Sequence, residues 1–364
     1  MLSCLRRGCG ALTFAVAVAA VTGTRPGYAQ EPPTRGAPAA APATPPRDTF
    51  STRGATDVRY RETDKAADGS YVAATRLTTD WTRRDTRTGR VQSGARIQFY
   101  LENDGPRDTG AGRLRASEAY GFYEVRLPGV AGRLQAGQFA LPFGLTALYD
   151  PLQPIQPLYE KSLGLRVDTG VLLAGTYGPY AYTAAVTTGS GPNRSDFDGN
   201  KVVSVRLERT VATELGIFVL GGSLLTGRGP VTGIDTQLPA SGTSTVRRFV
   251  DKTRFAGDGQ YAFGNVGLRG EVVFGADGDD PVWGYFAEGN YQIRPRLTLV
   301  AVRRLWNFAE KPQSASSTGL GLNFEVGNGL TLRTLYEFER DVPLPAGTAS
   351  RVAKRLTLQT RLSF

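Results

Sequence analysis

The chain of 364 residues has no histidine, and its only two cysteines, Cys4 and Cys9, fall within the first nine positions. Without imidazole, the usual general base of hydrolytic sites is missing, and so is the commonest transition-metal ligand. No enzyme is expected, since only a Ser/Lys or carboxylate-only device remains open. No metal and no cofactor are expected either. Long apolar runs are missing too: nothing approaches the roughly 18 consecutive apolar residues of a membrane helix. With 40% hydrophobic residues, 45 glycines and a mean hydropathy of −0.24, the chain looks soluble on average. A closed transmembrane sheet has the same average, because only every second strand residue meets lipid. Pattern has to separate the two.

The first residues read as an export signal. Arg6 and Arg7 precede an apolar run, Ala11 to Val21, followed by the small residues Gly27 and Ala29. Cleavage after Ala29 would leave a mature chain without cysteine and hence without disulfides. Residues 1–29 are therefore expected to be a signal peptide. Residues 30–53, rich in proline and alanine, are expected to form a periplasmic tether, since that composition cannot build a core. Residues 54–364 are expected to form one barrel.

Across that span, segments of strict alternation are separated by turn residues. In the last, Leu356, Leu358, Thr360, Leu362 and Phe364 share one face, while Arg355, Thr357, Gln359, Arg361 and Ser363 share the other. One face suits lipid and the other water, so the polar face must line something wet. Further alternating sets are Leu330–Leu332–Thr334–Tyr336–Phe338, Val266–Leu268–Val272–Phe274, Val203–Val205–Leu207 and Ile97–Phe99–Leu101. About sixteen such segments can be counted, from near residue 54 to near residue 352. Sixteen is even, as single-chain bacterial barrels require, and lies in the size range that leaves an aqueous channel. The expected fold is an all-β, antiparallel up-and-down transmembrane barrel.

The links support that count. Short ones with turn chemistry (128–132, 178–179, 294–296, 327–329) alternate with longer ones (102–113, 140–167, 189–200, 225–245, 341–351). Two more, near 256–260 and 275–281, do not discriminate. Tyr71 and Trp81 share a face ten residues apart, which at a strand tilt of about 45° spans about 23 Å of membrane. Trp283, Trp306 and Phe338 are expected at the outer interface.

A C-terminal aromatic after apolar alternation, here Phe364, resembles the assembly signal of outer-membrane barrels. The segment Ala136-Gly-Gln-Phe-Ala-Leu-Pro-Phe-Gly144 resembles one found in porins related to the phosphate-selective porin O/P family. The resemblance implies an outer-membrane channel, a homotrimer, and a long loop after the fifth strand that folds inward, the alternative being an external loop that caps the rim. That loop, 140–167, carries four prolines and the charged residues Asp150, Glu160, Lys161 and Arg166, which become the candidate constriction.

On the alternation, the wet face carries Arg59, Arg76, Arg96, Arg126, Arg206, Arg269, Arg333 and Arg361, with Glu124, Glu271 and Glu337 among the acids. Acids and bases on that face nearly cancel, which argues against a strong uniform anion field despite a net charge of +10. Phosphate-selective relatives concentrate bases at the constriction, whereas only Lys161 and Arg166 stand there. The clusters Asp196–Asp198–Asn200 and Asp277–Asp280 lack the spacing of a full calcium loop and read as Asx turns. No nucleic acid is expected as a partner, because no basic cluster is interleaved with aromatics.

Passive diffusion of small polar solutes or ions, with at most a mild anion preference, is the expected function. It needs outer-membrane lipid around the barrel and no energy source beyond the solute gradient. The competing reading is a structural or adhesive outer-membrane barrel with a blocked lumen and partner-binding loops. An energy-coupled transporter would need a globular plug, for which the stretch before the first strand is too short.

Overall fold

In the computed structural model, the described residues are 47–63, 70–103, 113–127, 130–145, 155, 157–158, 162–196, 199–230, 249–309, 314–342 and 351–364. The expected signal peptide, residues 1–29, and most of the expected tether, residues 30–46, lie outside them. The strands are β1 (Arg47–Thr63), β2 (Ser70–Arg84), β3 (Val91–Asn103), β4 (Arg113–Leu127), β5 (Val130–Ala140), β6 (Val167–Tyr177), β7 (Tyr180–Thr187) and β8 (Val202–Thr213). They continue as β9 (Gly216–Pro230), β10 (Phe249–Phe263), β11 (Val266–Asp277), β12 (Asp280–Arg294), β13 (Leu297–Asn307), β14 (Ser314–Gly327), β15 (Leu330–Val342) and β16 (Arg351–Ser363). Each pairs antiparallel with its sequence neighbours, and β1 pairs with β16 to close the barrel. Closure removes both sheet edges, so no row of backbone groups is left unpaired in lipid.

Side chains alternate as the pattern required. Along β16, Thr357, Gln359 and Arg361 are buried while Leu358, Thr360 and Leu362 are exposed. Leu358 is 41% exposed, Leu320 61% and Phe274 54%, all on the outer face. An exterior of exposed Leu, Val and Phe around a charged interior is stable only with lipid outside and water inside. This is a transmembrane β-barrel.

Four details differ from the sequence reading. Strand β1 begins at Arg47, inside the expected tether, because residues 47–54 pair with Leu77–Arg84 of β2. Pairing to β16 reaches only as far as Phe364, whose N–H and C=O bond to the backbone of Gly54. The stretch 256–260 is no turn but the middle of β10, and the turn is 264–265. Strand β9 runs on to Pro230, which places Arg228 in a strand instead of a loop. Trp306 is fully buried and faces inward opposite Gly284, whereas Trp283 faces out, 48% exposed. A one-residue change of parity separates those two fates.

Links at one end are short: 85–90, 128–129, 178–179, 214–215, 264–265, 295–296 and 328–329. This is the turn end, where β1 starts and β16 stops. The loop end carries the longer links, including 141–166 between β5 and β6, although 278–279 there is only two residues long.

Candidate pore constriction

The described residues of the link 141–166 do not stand above the rim. Its residues Leu141, Phe143, Leu145, Ile155, Leu158, Leu163 and Leu165 are buried in one cluster with inward side chains from the far wall: Leu225, Val273, Phe286, Val302, Trp306 and Leu335. Those partners lie on β9, β11–β13 and β15, while the loop leaves from β5, so the chain crosses the lumen. The driving force is ordinary: each fully buried Leu or Phe contributes about 1.5–3 kcal/mol. Trp306 therefore serves as a landing surface for the loop instead of a membrane anchor.

Polar contacts set where the loop lands. Glu271 sits mid-strand on β11 with 3% exposure, and its two carboxylate oxygens accept from the amides of Leu145 (3.1 Å) and Leu158 (2.7 Å). The segment between those residues thus starts and returns at a single side chain. Gly144 donates its N–H to the Ser223 hydroxyl at 3.0 Å. With φ +52, and Glu271 Oε2 only 2.5 Å from where a Cβ would stand, Gly144 admits no side chain. Its neighbours Leu141 and Phe143 are the apolar hooks of the same short stretch. On the return side, Arg254 donates from Nε to the carbonyl of Ser162 at 2.9 Å. Arg254 and Lys252 both bond to Asp277.

Behind Glu271, Arg206 of β8 reaches across β9 to Asp258 of β10, bonding both carboxylate oxygens and touching Glu208 at 3.2 Å. Gly221 of β9 makes that possible, since a Cβ there would meet Arg206 Nη2 at 2.6 Å and Asp258 at 2.8 Å. Gly257-Asp258-Gly259 has the local chemistry of a turn, yet it pairs with β9 and β11 on both sides, and the Arg206–Asp258 ion pair adds a tie across β9. Arg206 also donates to Ser223 at 3.3 Å, so the network holds a hydroxyl that itself receives the loop.

Every lumen-lining candidate from the sequence lies on the inward parity of its strand. Arg361 and Arg59 bond to the fully buried Asp57 at 2.9 Å each, and Gln359 joins them at 2.6 Å. Gln359 is therefore held in a charged cage instead of facing open water. Glu337 is held by Arg304 and Arg355 at 2.7 Å each. Arg269 bonds Glu288 at 2.6 Å, and Arg96 bonds Asp80 at 2.6 Å with Glu118 nearby. Glu124 accepts from Arg133, which lies 4.1 Å over the Phe122 ring. Arg76 faces Ala55 and Tyr100, Arg333 faces Asn323 and Gln359, and Arg126 is exposed near the turn end.

Of the loop candidates, Asp150, Glu160 and Lys161 lie outside the described residues. Arg166 stands at the neck of the loop, half-buried, where its carbonyl accepts from Leu141 N–H and extends the β5–β6 ladder by one step. Sequence reasoning missed Asp258, Ser223, Arg254 and Trp306 as parts of this site. The inward parity read for Arg206 extends to Ser223 opposite it on β9, but nothing local marks Asp258. In the acidic clusters, Asp196 accepts from Gly199 N–H and pairs with Lys201, and Asp277 is taken by Lys252 and Arg254.

Inside the barrel, then, an apolar half on β9–β15 is covered by the loop, and the wall from β15 through β16 to β5 carries charged side chains that solvent still reaches. No protein-family model matches the chain, and no curated protein matches it in sequence. Its shape is another matter. Superposed on the trimer form of the outer-membrane protein OmpT of Vibrio cholerae, it has a TM-score of 0.61 at 11% identity, covering 87% of this chain and 99% of that one. The outer-membrane channel DcaP of Acinetobacter baumannii gives 0.60 at 12% identity, covering 88% and 97%. An anion-selective porin from Comamonas acidovorans gives 0.58 at 13%, covering 87% and 100%. The fold is that of the outer-membrane porins. Each of these neighbours is covered almost in full by this chain, at sequence identities of 11–13%.

The clamp at Glu271 can be tested directly. Glu271→Ala would leave two buried amides unsatisfied, each costing about 1–3 kcal/mol, while the strand ladder stays intact. The folded barrel should keep its heat-modifiable gel mobility yet become cleavable by protease between residues 145 and 162. Resistance equal to the parent's would show that apolar packing alone holds the loop.

Proposed function

We propose that this protein is an outer-membrane porin for passive diffusion of small polar solutes or ions, with a mild preference for anions. The observation that carries the proposal is the uneven lumen. The inward loop is bound to one wall, and the opposite wall keeps partly solvent-exposed charges: Arg96 at 29%, Glu118 at 22%, Arg133 at 27% and Arg355 at 22%. Charges that water still reaches line a wet path, whereas a blocked lumen would bury or neutralise them.

The anion preference rests on a count along that wall. From β15 through β5 the described inward bases include Arg53, Arg59, Arg76, Arg96, Arg126, Arg133, Arg333, Arg355 and Arg361, with Arg47 and Arg84 at the turn end, against the acids Asp57, Asp80, Glu118, Glu124, Glu337 and Glu339. Most acids sit in ion pairs, so the excess is modest and specific phosphate capture is not part of the proposal. Asp150, Glu160, Lys161 and Arg166 enter it as charges of the constricting loop. Distant kinship with the phosphate-selective O/P porins is proposed on the segment Ala136–Gly144, which leads into that loop. Assembly as a homotrimer is proposed by analogy with the neighbour described in its trimer form.

Reconstitution in planar bilayers tests the function. A tenfold salt gradient should give steady ohmic conductance and a reversal potential displaced towards the chloride equilibrium value, by less than half of it. No conductance from verified folded protein would refute the channel. A displacement towards the cation value would refute the preference while leaving the channel standing.

A further inference from the structure

At four inward-facing places among the described residues, a guanidinium lies over an aromatic ring. Two of these pairs, Arg254 over Trp306 at 6.0 Å and Arg269 over Phe286 at 5.5 Å, belong to the wall that the loop covers, and both rings are buried. The other two stand on the open wall. Arg133 lies over Phe122 at 4.1 Å and Arg96 over Tyr120 at 6.0 Å. Phe122 and Tyr120 are only half-buried, although the inside of a transmembrane barrel is ordinarily polar.

Glycines make room for these rings. A Cβ on Gly94 of β3 would stand 2.6 Å from the Phe122 ring, and one on Gly137 of β5 would stand 2.7 Å from the Tyr120 backbone. Phe122 therefore sits over β3 at Gly94, with Arg133 over the ring in turn. Glu124 holds Arg133 through a single oxygen, 2.7 Å from Nε and 2.6 Å from Nη2, and the side chain stays 27% exposed. Arg96 donates from Nε to Asp80 at 2.6 Å and has Glu118 at 3.6 Å. Its other N–H groups, on a side chain 29% exposed, are open to a solute.

The two arginines offer different things. A planar guanidinium held against one ring stacks a second ring on its free face, which an ammonium cannot do. A guanidinium with free N–H groups takes a carboxylate through charge-assisted hydrogen bonds. Tyr120 and Phe122 are two residues apart on β4, so the groups over them are separated by about 7 Å along the strand. A solute ring on Arg133 with its carboxylate turned towards Arg96 spans that separation. Asp80, Glu118 and Glu124 oppose retention of anions in general, so contact with the ring decides which anions stay.

We propose that the inner face of β3–β5 is a binding site for small aromatic carboxylates, with the ring stacked on Arg133 and the carboxylate held by Arg96. This names a solute class for the proposed porin and rests on that reading for the wet path along this wall.

The test uses the full-length folded barrel in detergent, titrated with benzoate, cyclohexanecarboxylate and benzyl alcohol. Saturation-transfer NMR of the ligands reads binding without any need for current. Benzoate should bind at least fivefold more tightly than either of the others. Arg133→Lys keeps the charge beside Glu124 but removes the planar surface, and should bring benzoate down to the level of cyclohexanecarboxylate. Phe122→Leu, which removes the ring beneath Arg133, should do the same and serves if Arg133→Lys lacks folded gel mobility. Arg96→Gln should weaken both carboxylates and leave benzyl alcohol unchanged. Arg209→Lys alters a guanidinium over Tyr180 on the outer surface and should bind as the parent does. Equal binding of benzoate and cyclohexanecarboxylate by the parent, or parent-like benzoate binding by Arg133→Lys, would overturn the proposal. Barrels that bind benzoate but pass no current would refute the channel and leave the site. Conducting barrels with no preference for the ring would do the reverse.

Discussion

Replacing Leu358 by arginine should remove most of the folded barrel from the membrane fraction. Leu358 is 41% exposed on the outer face of β16, five residues from the end of that strand. An arginine on the lipid face near the bilayer midplane costs about 2–4 kcal/mol. The closing strand is where that cost acts, since β16 must pair with β1 for the barrel to shut. The comparison position is Asn323, half-buried on the inner face between Arg333 across the ladder and Glu325 along the strand. Asn323→Arg places the same charge in a wet, mixed-charge setting and should fold as the parent does. Gln359, adjacent to Leu358, is a poor comparison because a further cation there would join Arg59 and Arg361 around Asp57. Heat-modifiable mobility and membrane fractionation of both variants measure the difference, and equal yields would mean that the assigned faces are wrong.

Excising residues 147–154 should raise single-channel conductance roughly twofold or more, since the narrowest cross-section sets the current through an aqueous pore. The excision leaves both amides that bind Glu271, at Leu145 and Leu158, so the anchors are kept and only the segment between them shortens. Lys161→Glu with Arg166→Glu should separately move the reversal potential towards cations. A charge beside a narrow, poorly hydrated path acts at lower effective dielectric and is screened less than one on the rim. Since Arg166 stands at the loop's neck, Lys161 is expected to carry the larger share. Unchanged conductance after excision, in barrels shown to be folded, would place the constriction on the wall arginines instead.

Strand number, most strand faces and much of the alternation of short and long links were legible in the sequence. The reason is that a lipid-facing strand must present an apolar residue at every second position, and no long-range contact alters that requirement. Phe364, Leu358 and the inward arginines could be placed from parity alone. Tertiary structure decided what parity cannot see. Trp306 looked like an interface anchor, since an isolated tryptophan near a strand end carries no sign of facing in or out, and the apolar loop filling the lumen is what buries it. Gly257-Asp258-Gly259 looked like a turn until Arg206, 52 residues earlier in sequence, engaged Asp258 across a glycine. Glu271 was recognisable as an inward carboxylate, but its role as the clamp of a loop 113 and 126 residues away depends on the loop crossing the lumen. Local periodicity set which way each side chain points, and only closure of the barrel set what it meets there.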